Sequence, residues 1–199
     1  MIETVLVLPQ PPALLEPRSV IDPVEELRAV CKADVADLPP ARRLIVVAAP
    51  VPESNAARGV TEPLGHRVAR QLLSGTAFEP HLAVPDAAGA ILGTTEAATL
   101  IVMADGSARR GERAPGHVHP GAIDFDDALE EALRAGDAEA LAELDPEVGA
   151  ELWCEGVAGF RLLGALVRGR VVAADLLYAD APYGVAWWVA RWDLATGTR

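Results

Sequence analysis

The chain has 199 residues, 51% hydrophobic and 23% charged, enough apolar material for one globular domain with a sizeable core. Its 29 acidic against 17 basic residues give a formal charge of -12, which opposes attraction to phosphate backbones and anionic lipid, so no nucleic-acid partner is expected. Cys31 and Cys154 are too few and too far apart for a disulfide framework or a structural zinc module, and they fit a reducing cytoplasm. The start Met1-Ile2-Glu3-Thr4 places no basic region before Val5-Leu6-Val7-Leu8, and no apolar stretch approaches roughly 18 residues. Neither secretion nor membrane spanning is expected.

Residues 3–8 are a short apolar run that ends at the breakers Pro9-Gln10-Pro11-Pro12, which predicts a buried first strand. Asp22-Pro23 reads as an N-cap followed by a first-turn proline. Val24, Leu27, Val30, Cys31 and Val35 then recur at helical spacing to about Leu38, where Pro39-Pro40 stop the helix. Leu44 to Ala49 is a continuous apolar strand, of the kind covered on both faces, and Pro50 to Gly59 reads as a loop. Leu64, Val68, Leu72 and Leu73 give one face of an amphipathic helix, with Arg67, Arg70 and Gln71 opposite and His66 at a surface or boundary position. His81 to Val84 is a short strand, followed by a small-residue segment through Gly93. Thr99 to Met103 predicts a central strand ending in Ala104-Asp105-Gly106-Ser107, and loops at the carboxyl ends of parallel strands are where α/β sheets place ligands.

Ala108 to Ala122, with Arg109, Arg110, Arg113 and several glycines and prolines, predicts an irregular surface loop. A helical block follows. Asp124 is expected to cap a helix with Ala128, Leu129, Ala132 and Leu133 inward; Asp137 opens a second; Asp145-Pro146 opens a third containing Val148, Leu152 and Trp153. Gly156 interrupts the pattern before Phe160, Leu163 and Leu166-Val167 resume it. Strands at about 171–178 and 185–192 flank the turn Ala181-Pro182-Tyr183-Gly184 as an antiparallel pair at a sheet edge. With no repeat and no composition break, residues 1–199 are expected to form one α/β domain, a central mixed, largely parallel sheet flanked by helices.

Most familiar chemistries find no motif. His117 and His119 are two apart, so in an extended loop they point to opposite sides, and one metal could use both only if the loop folded back on itself. Neither cysteine has a histidine near it in sequence, and Cys154 reads as core. Asp105-Gly106-Ser107-Ala108-Arg109 lacks the flanks of a Gly-x-Ser-x-Gly elbow, and no glycine-rich phosphate loop follows either strong strand.

A likeness does run across residues 5 to 192. It is carried by Leu8-Pro9-Gln10-Pro11-Pro12, the strand Leu44 to Ala49, Met103-Ala104-Asp105-Gly106-Ser107-Ala108-Arg109-Arg110 and Ala114-Pro115-Gly116. Asp124-Phe125-Asp126, Gly136-Asp137 with Leu144-Asp145-Pro146, and Ala181-Pro182-Tyr183-Gly184-Val185 complete it. In their order these segments resemble the catalytic, or beta, subunit family of class III extradiol ring-cleavage dioxygenases, in its short actinobacterial form; Memo-like proteins share that fold. The resemblance implies an α/β fold and an aromatic ring-opening oxidoreductase chemistry on Fe(II), held by two histidines and a carboxylate, with another histidine as acid/base. In that family the first ligand stands in a Pro-His-Pro-Pro-like turn after strand one, where this chain has Gln10. The second follows the second strong strand, here Ala49-Pro50-Val51-Pro52-Glu53-Ser54, and the acid/base histidine corresponds to Ala108. Only the carboxylate ligand has a counterpart, Glu155, which also reads as an exposed glutamate at a helix end.

The expected function is therefore a degenerate dioxygenase-like protein without the iron ligands, a binding or structural module with no catalytic residue, no metal and no cofactor. Fe(II) is the family's cofactor and is not expected here. The competing reading is an active metal-dependent ring-opening enzyme with a rearranged site. The ligand pocket is expected beside Gln10, Asp105, Ser107, Arg109 and Glu155. Arg109, Arg110 and Arg113 suit a small anionic molecule, or are simply solvated; a small aromatic molecule is the other ligand class. Trp187 and Trp188 point to opposite sides of a strand, so one can fill the core and the other, near Tyr183 and Trp192, can serve a partner, as in a homodimer through the last hairpin.

Overall fold

A computed structural model describes residues 1–15, 22–39, 43–93, 96–170 and 172–194. One six-stranded sheet runs in the order β3-β2-β4-β1-β6-β5. β4 (Ala98–Met103) is flanked by β1 (Ile2–Leu8) and β2 (Arg43–Ala48), both parallel to it, and β3 (Glu79–Leu82) adds to β2, also parallel. The continuous apolar runs predicted as strands have this use: side chains alternate between two covered faces. Val5, Val7, Val47, Leu100 and Val102 enter one core, and Leu6, Leu8, Val46, Ile101 and Met103 enter the other. No helix among the described residues is long and apolar enough to cross a membrane.

The helices divide between these faces. α1 (Glu25–Ala36) and α3 (Leu64–Leu72) pack on the Leu6 side; α4 (Ala87–Leu92), α5 (Ala122–Ala135), α6 (Ala138–Ala142) and α8 (Val157–Val167) pack on the Val5 side. α2 (Glu53–Ala56) and α7 (Pro146–Glu151) are short surface turns of helix. α2 lies inside the segment expected to be a loop, and α4 inside the small-residue segment; both are too short to show a periodic apolar stripe.

Local caps explain the other differences from expectation. Asp22 is not the N-cap of α1, whose helical backbone begins at Glu25. It accepts from the Val24 N–H at 3.1 Å and grips the Arg28 side chain at 2.6 Å, and Arg28 in turn donates to the Leu14 carbonyl at 2.6 Å. α1 stops at Ala36, two residues short of Leu38. α5 begins at Ala122, so Asp124 sits in its first turn, where a negative charge favours the helix dipole, and does not cap it. Leu129, Ala132 and Leu133 are buried as expected, whereas Ala128 faces outward. Asp137 and Asp145 cap α6 and α7 as the sequence indicates, accepting from the Ala140 and Glu147 N–H groups. α7 ends before Leu152 and Trp153, because Trp153 turns into the left-handed region at φ 54°.

The chain ends in an antiparallel hairpin. β6 (Trp187–Leu194) pairs with β1, and β5 (Val172–Asp180) lies outside it at the sheet edge. The first residue of the expected strand, 171, lies outside the described residues. Trp187 and Trp188 do point to opposite faces, but both are buried, 4% and 1% exposed, each in its own core. The tryptophan expected to be left for a partner is thus consumed by the chain itself, because helices cover both sides of β6.

α8 and α6 approach closely through Gly164, where a Cβ would lie 2.4 Å from the Ala138 carbonyl oxygen and 2.5 Å from the Ala142 nitrogen. Backbone atoms cannot rotate away. Gly164→Ala should therefore destabilise the fold by about 1–3 kcal/mol, seen as a lower urea midpoint at unchanged m-value.

Candidate functional site

β1 and β4 are parallel neighbours, yet the chain leaves β1 for α1 on one face and leaves β4 for α5 on the other. Where neighbouring strands send their following segments to opposite faces, a crevice opens beyond their carboxyl ends. Here it is a cavity of about 1110 Å³. Its walls come from the β1 exit (Pro11, Pro12), the β3 exit (Val84, Pro85), the β4 exit (Asp105, Gly106), the α7–α8 region (Trp153, Cys154, Glu155, Arg161) and the final turn with the start of β6 (Tyr183, Trp187).

Asp105 joins the two strand exits. Its Oδ1 accepts the Gln10 backbone N–H at 2.8 Å, and its own carbonyl accepts from the Cys154 thiol at 3.4 Å. Burial pushes the Asp105 carboxyl up to about 7; the Gln10 N–H opposes this, and the negative charge of Glu155 adds to it. Asp105 thus titrates near neutrality inside an apolar space.

The loop behind it is fixed by a second carboxylate. Fully buried Asp126 accepts the Ser107 N–H at 2.8 Å and receives the Arg110 guanidinium at 3.3 Å. Burial pushes Asp126 up to about 6, against the pull of those two partners. Ser107 Oγ donates to the Leu152 carbonyl at 2.8 Å, and Arg109 donates to the carbonyls of His117 and Glu151, both at 2.8 Å. These bonds pin the connection after α7 against the β4 exit and set Trp153 at the cavity wall.

Of the five residues expected at the pocket, Asp105 and Glu155 line the cavity. Gln10, Ser107 and Arg109 stand behind its walls. Gln10 is 3% exposed and packs on α3, where a Cβ at Gly65 would lie 2.4 Å from its Oε1, and that oxygen has no hydrogen-bond partner among the described residues. Arg109 does not reach Asp105 or the cavity, because its guanidinium is spent on backbone carbonyls. Arg110 is held by Asp126 and Asp127, and Arg113 is exposed. Trp153, Arg161 and Tyr183 line the cavity without having been singled out for it. Their only sequence signal is proximity to Glu155 and to the Pro182-Tyr183-Gly184 turn.

The histidines lie elsewhere. His66 is buried rather than at a boundary; its Nε2 sits 3.0 Å from the His81 carbonyl, and burial holds its pKa below the usual range. His119 faces Glu151 at 3.0 Å, on the surface. An Fe(II) site of the family's type takes two imidazoles and a carboxylate. The potential donors lining this cavity are Asp105, Glu155 and Cys154, with no imidazole, and burial pushes the Cys154 thiol up and away from thiolate. Among the described residues no three His, Cys, Asp or Glu side chains are grouped to hold a metal. The residues present do not fit that iron site.

The raised carboxyls set a pH dependence. A carboxyl whose folded pKa lies above its unfolded value near 3.8 stabilises the fold fully below that value, and the contribution is lost as pH rises through the folded pKa. Between pH 5 and 8 the stability of Asp105→Asn should therefore rise relative to wild type, by on the order of a few kcal/mol in urea unfolding. A constant difference across that range would contradict the buried-carboxyl assignment. Arg109→Ala should lower stability by about 1 kcal/mol through its lost carbonyl contacts, measured by the same unfolding curves.

No protein-family model matches the chain, and no curated protein matches it by sequence. Among solved structures it is similar to the crystal structure of an uncharacterized protein, JW3007, from Escherichia coli K12. The identity is 11% and the TM-score 0.52, over 95% of this chain and 99% of that one. At this identity the likeness concerns the fold, and it agrees with a single α/β arrangement spanning the whole described sheet.

Proposed function

We propose that this protein is a relative of the class III extradiol dioxygenase fold that lacks the iron chemistry and binds a small apolar or aromatic molecule in the crevice beyond β1 and β4. The observation that carries the reading is the cavity itself. At about 1110 Å³ it is large enough for a drug-sized ligand, for which pockets of roughly 300–1,000 Å³ are usual. Its walls are mostly apolar and aromatic, with a few polar groups among them, the composition typical of small-molecule sites.

Trp153 adds to this. It is 54% exposed and holds a left-handed backbone, a conformation that costs a bulky residue on the order of 1 kcal/mol and tends to be kept where a side chain has a task. An indole at the wall of an apolar cavity is a stacking surface for an aromatic ring.

The competing reading, an enzyme, draws on one observation, the carboxyl of Asp105 at about 7, which suits proton transfer at neutral pH. As a ring-opening oxygenase it would have to replace imidazole ligands by carboxylates and a thiol.

Ligand-observed NMR against a panel of small aromatic molecules should reveal binding in the micromolar to millimolar range. Trp153→Ala should weaken it about tenfold, as expected for loss of one aromatic wall, without lowering the melting temperature. Catechol and protocatechuate with added Fe(II) should yield no ring-opened product. Turnover of either would overturn the binding-module reading.

A further inference from the structure

We propose that the occupant of the cavity is an organic cation, an amine carried on an apolar or aromatic body, with its ammonium group between Asp105 and Glu155. The inference rests on the small-molecule reading above and adds the ligand's charge.

The ionisable side chains lining the cavity are Asp105, Cys154, Glu155, Arg161 and Tyr183. Among the described residues neither carboxylate is paired with a cation. Asp105 accepts the Gln10 backbone N–H, and Glu155 makes no side-chain hydrogen bond or ion pair among the described residues. The two are close enough for the charge of Glu155 to act on Asp105. The lining guanidinium, Arg161, donates to the Leu144 carbonyl and pairs with neither carboxylate. It stands in the second turn of α8, whereas Glu155 precedes the helix. Asp105 is costly to ionise in this apolar wall until a positive group joins it, and exposed Glu155 adds a second negative charge to the same lining.

The walls favour the same ligand. Trp153, Tyr183 and Trp187 line the cavity, with the Tyr183 and Trp187 rings 5.8 Å apart. Aromatic faces attract ammonium groups as well as apolar bodies. The formal charge of -12 raises the local concentration of cations and opposes anions. The arginines that the sequence offered to an anion are engaged elsewhere, Arg109 on carbonyls and Arg110 on Asp126 and Asp127.

Three probes that share one body separate charge from shape: 4-phenylbutylamine, 4-phenylbutan-1-ol and 4-phenylbutyrate, titrated calorimetrically into the full chain at pH 8, where Asp105 is ionised. The amine should bind about tenfold or more tightly than the alcohol, the increment of a charge-assisted contact, and the carboxylate should be weakest. In the Asp105→Asn, Glu155→Gln double variant the advantage of the amine should shrink to about twofold, with the affinity of the alcohol unchanged. That variant moves the net charge only from -12 to -10, so loss of the general field does not account for such a change. If the double variant does not fold, Glu155→Gln alone, at an exposed position, should reduce the advantage about threefold.

Equal binding of amine and alcohol, or an advantage that survives these substitutions, overturns the cation assignment and leaves the small-molecule reading standing. Tighter binding of the carboxylate overturns it in favour of an anion at Arg161. Failure of all three probes to bind at millimolar concentration overturns both readings together.

Discussion

The organisation of this molecule turns on one hydrogen bond, from the backbone N–H of Gln10 to the carboxyl of Asp105. Adjacent parallel strands deliver their ends to the same edge of the sheet, but here the two following segments leave for opposite faces. Past Leu8 and Met103 the ladder between these strands continues only as far as the Ala104 N–H, which donates to the Leu8 carbonyl at 2.9 Å. Beyond it the Asp105 side chain supplies the tie, and it can do so only by staying in a place where ionisation is costly. The group that ties the two exits is therefore also a wall whose charge burial opposes.

A second set of bonds builds outward from it. Asp126 fixes Ser107, Ser107 fixes the Leu152 carbonyl, and Arg109 fixes the carbonyls on either side of the crossing at His117 and Glu151. Gly106, tight against Trp188, Ala186 and Asp126, leaves no room for any other residue in the chain of contacts. The result is a pocket whose rim, Trp153 included, is set by backbone carbonyls belonging to a different element from the donors that hold them.

The fold was largely legible because its strands are apolar on both faces, as Val5-Leu6-Val7-Leu8 and Leu100-Ile101-Val102-Met103 show; few other structures accept such runs. Asp137 and Asp145 announced their helices because an N-cap is a local event. Position in the pocket was legible in part. The family resemblance, not sequence order, suggested Glu155 beside Asp105, and neither reveals on which side of a loop a side chain emerges, so Gln10, Ser107 and Arg109 brace the walls instead. Arg109 is instructive: a guanidinium in a glycine-rich loop looks available, yet one carbonyl of that loop, at His117, and one at the end of α7, at Glu151, claim it. Trp153 was hidden because a left-handed conformation in a bulky residue is imposed by tertiary contacts and leaves no mark in composition.

The neighbouring tryptophans of β6 have a consequence for how this protein can be watched. Trp188 and Trp192 lie in the core beneath α5, each held to that helix through its indole N–H, at Glu130 and at the Leu133 carbonyl. Trp187 lies in the opposite core and also lines the cavity, its indole N–H without a partner among the described residues, and exposed Trp153 stands at the cavity wall. The four indoles thus report on the two cores and on the cavity, which Trp187 and Trp153 both line, with different access to quencher. Single-tryptophan versions of the chain would carry distinct emission signatures for each layer, so loosening of one face of the sheet could be told apart from loosening of the other within the same molecule.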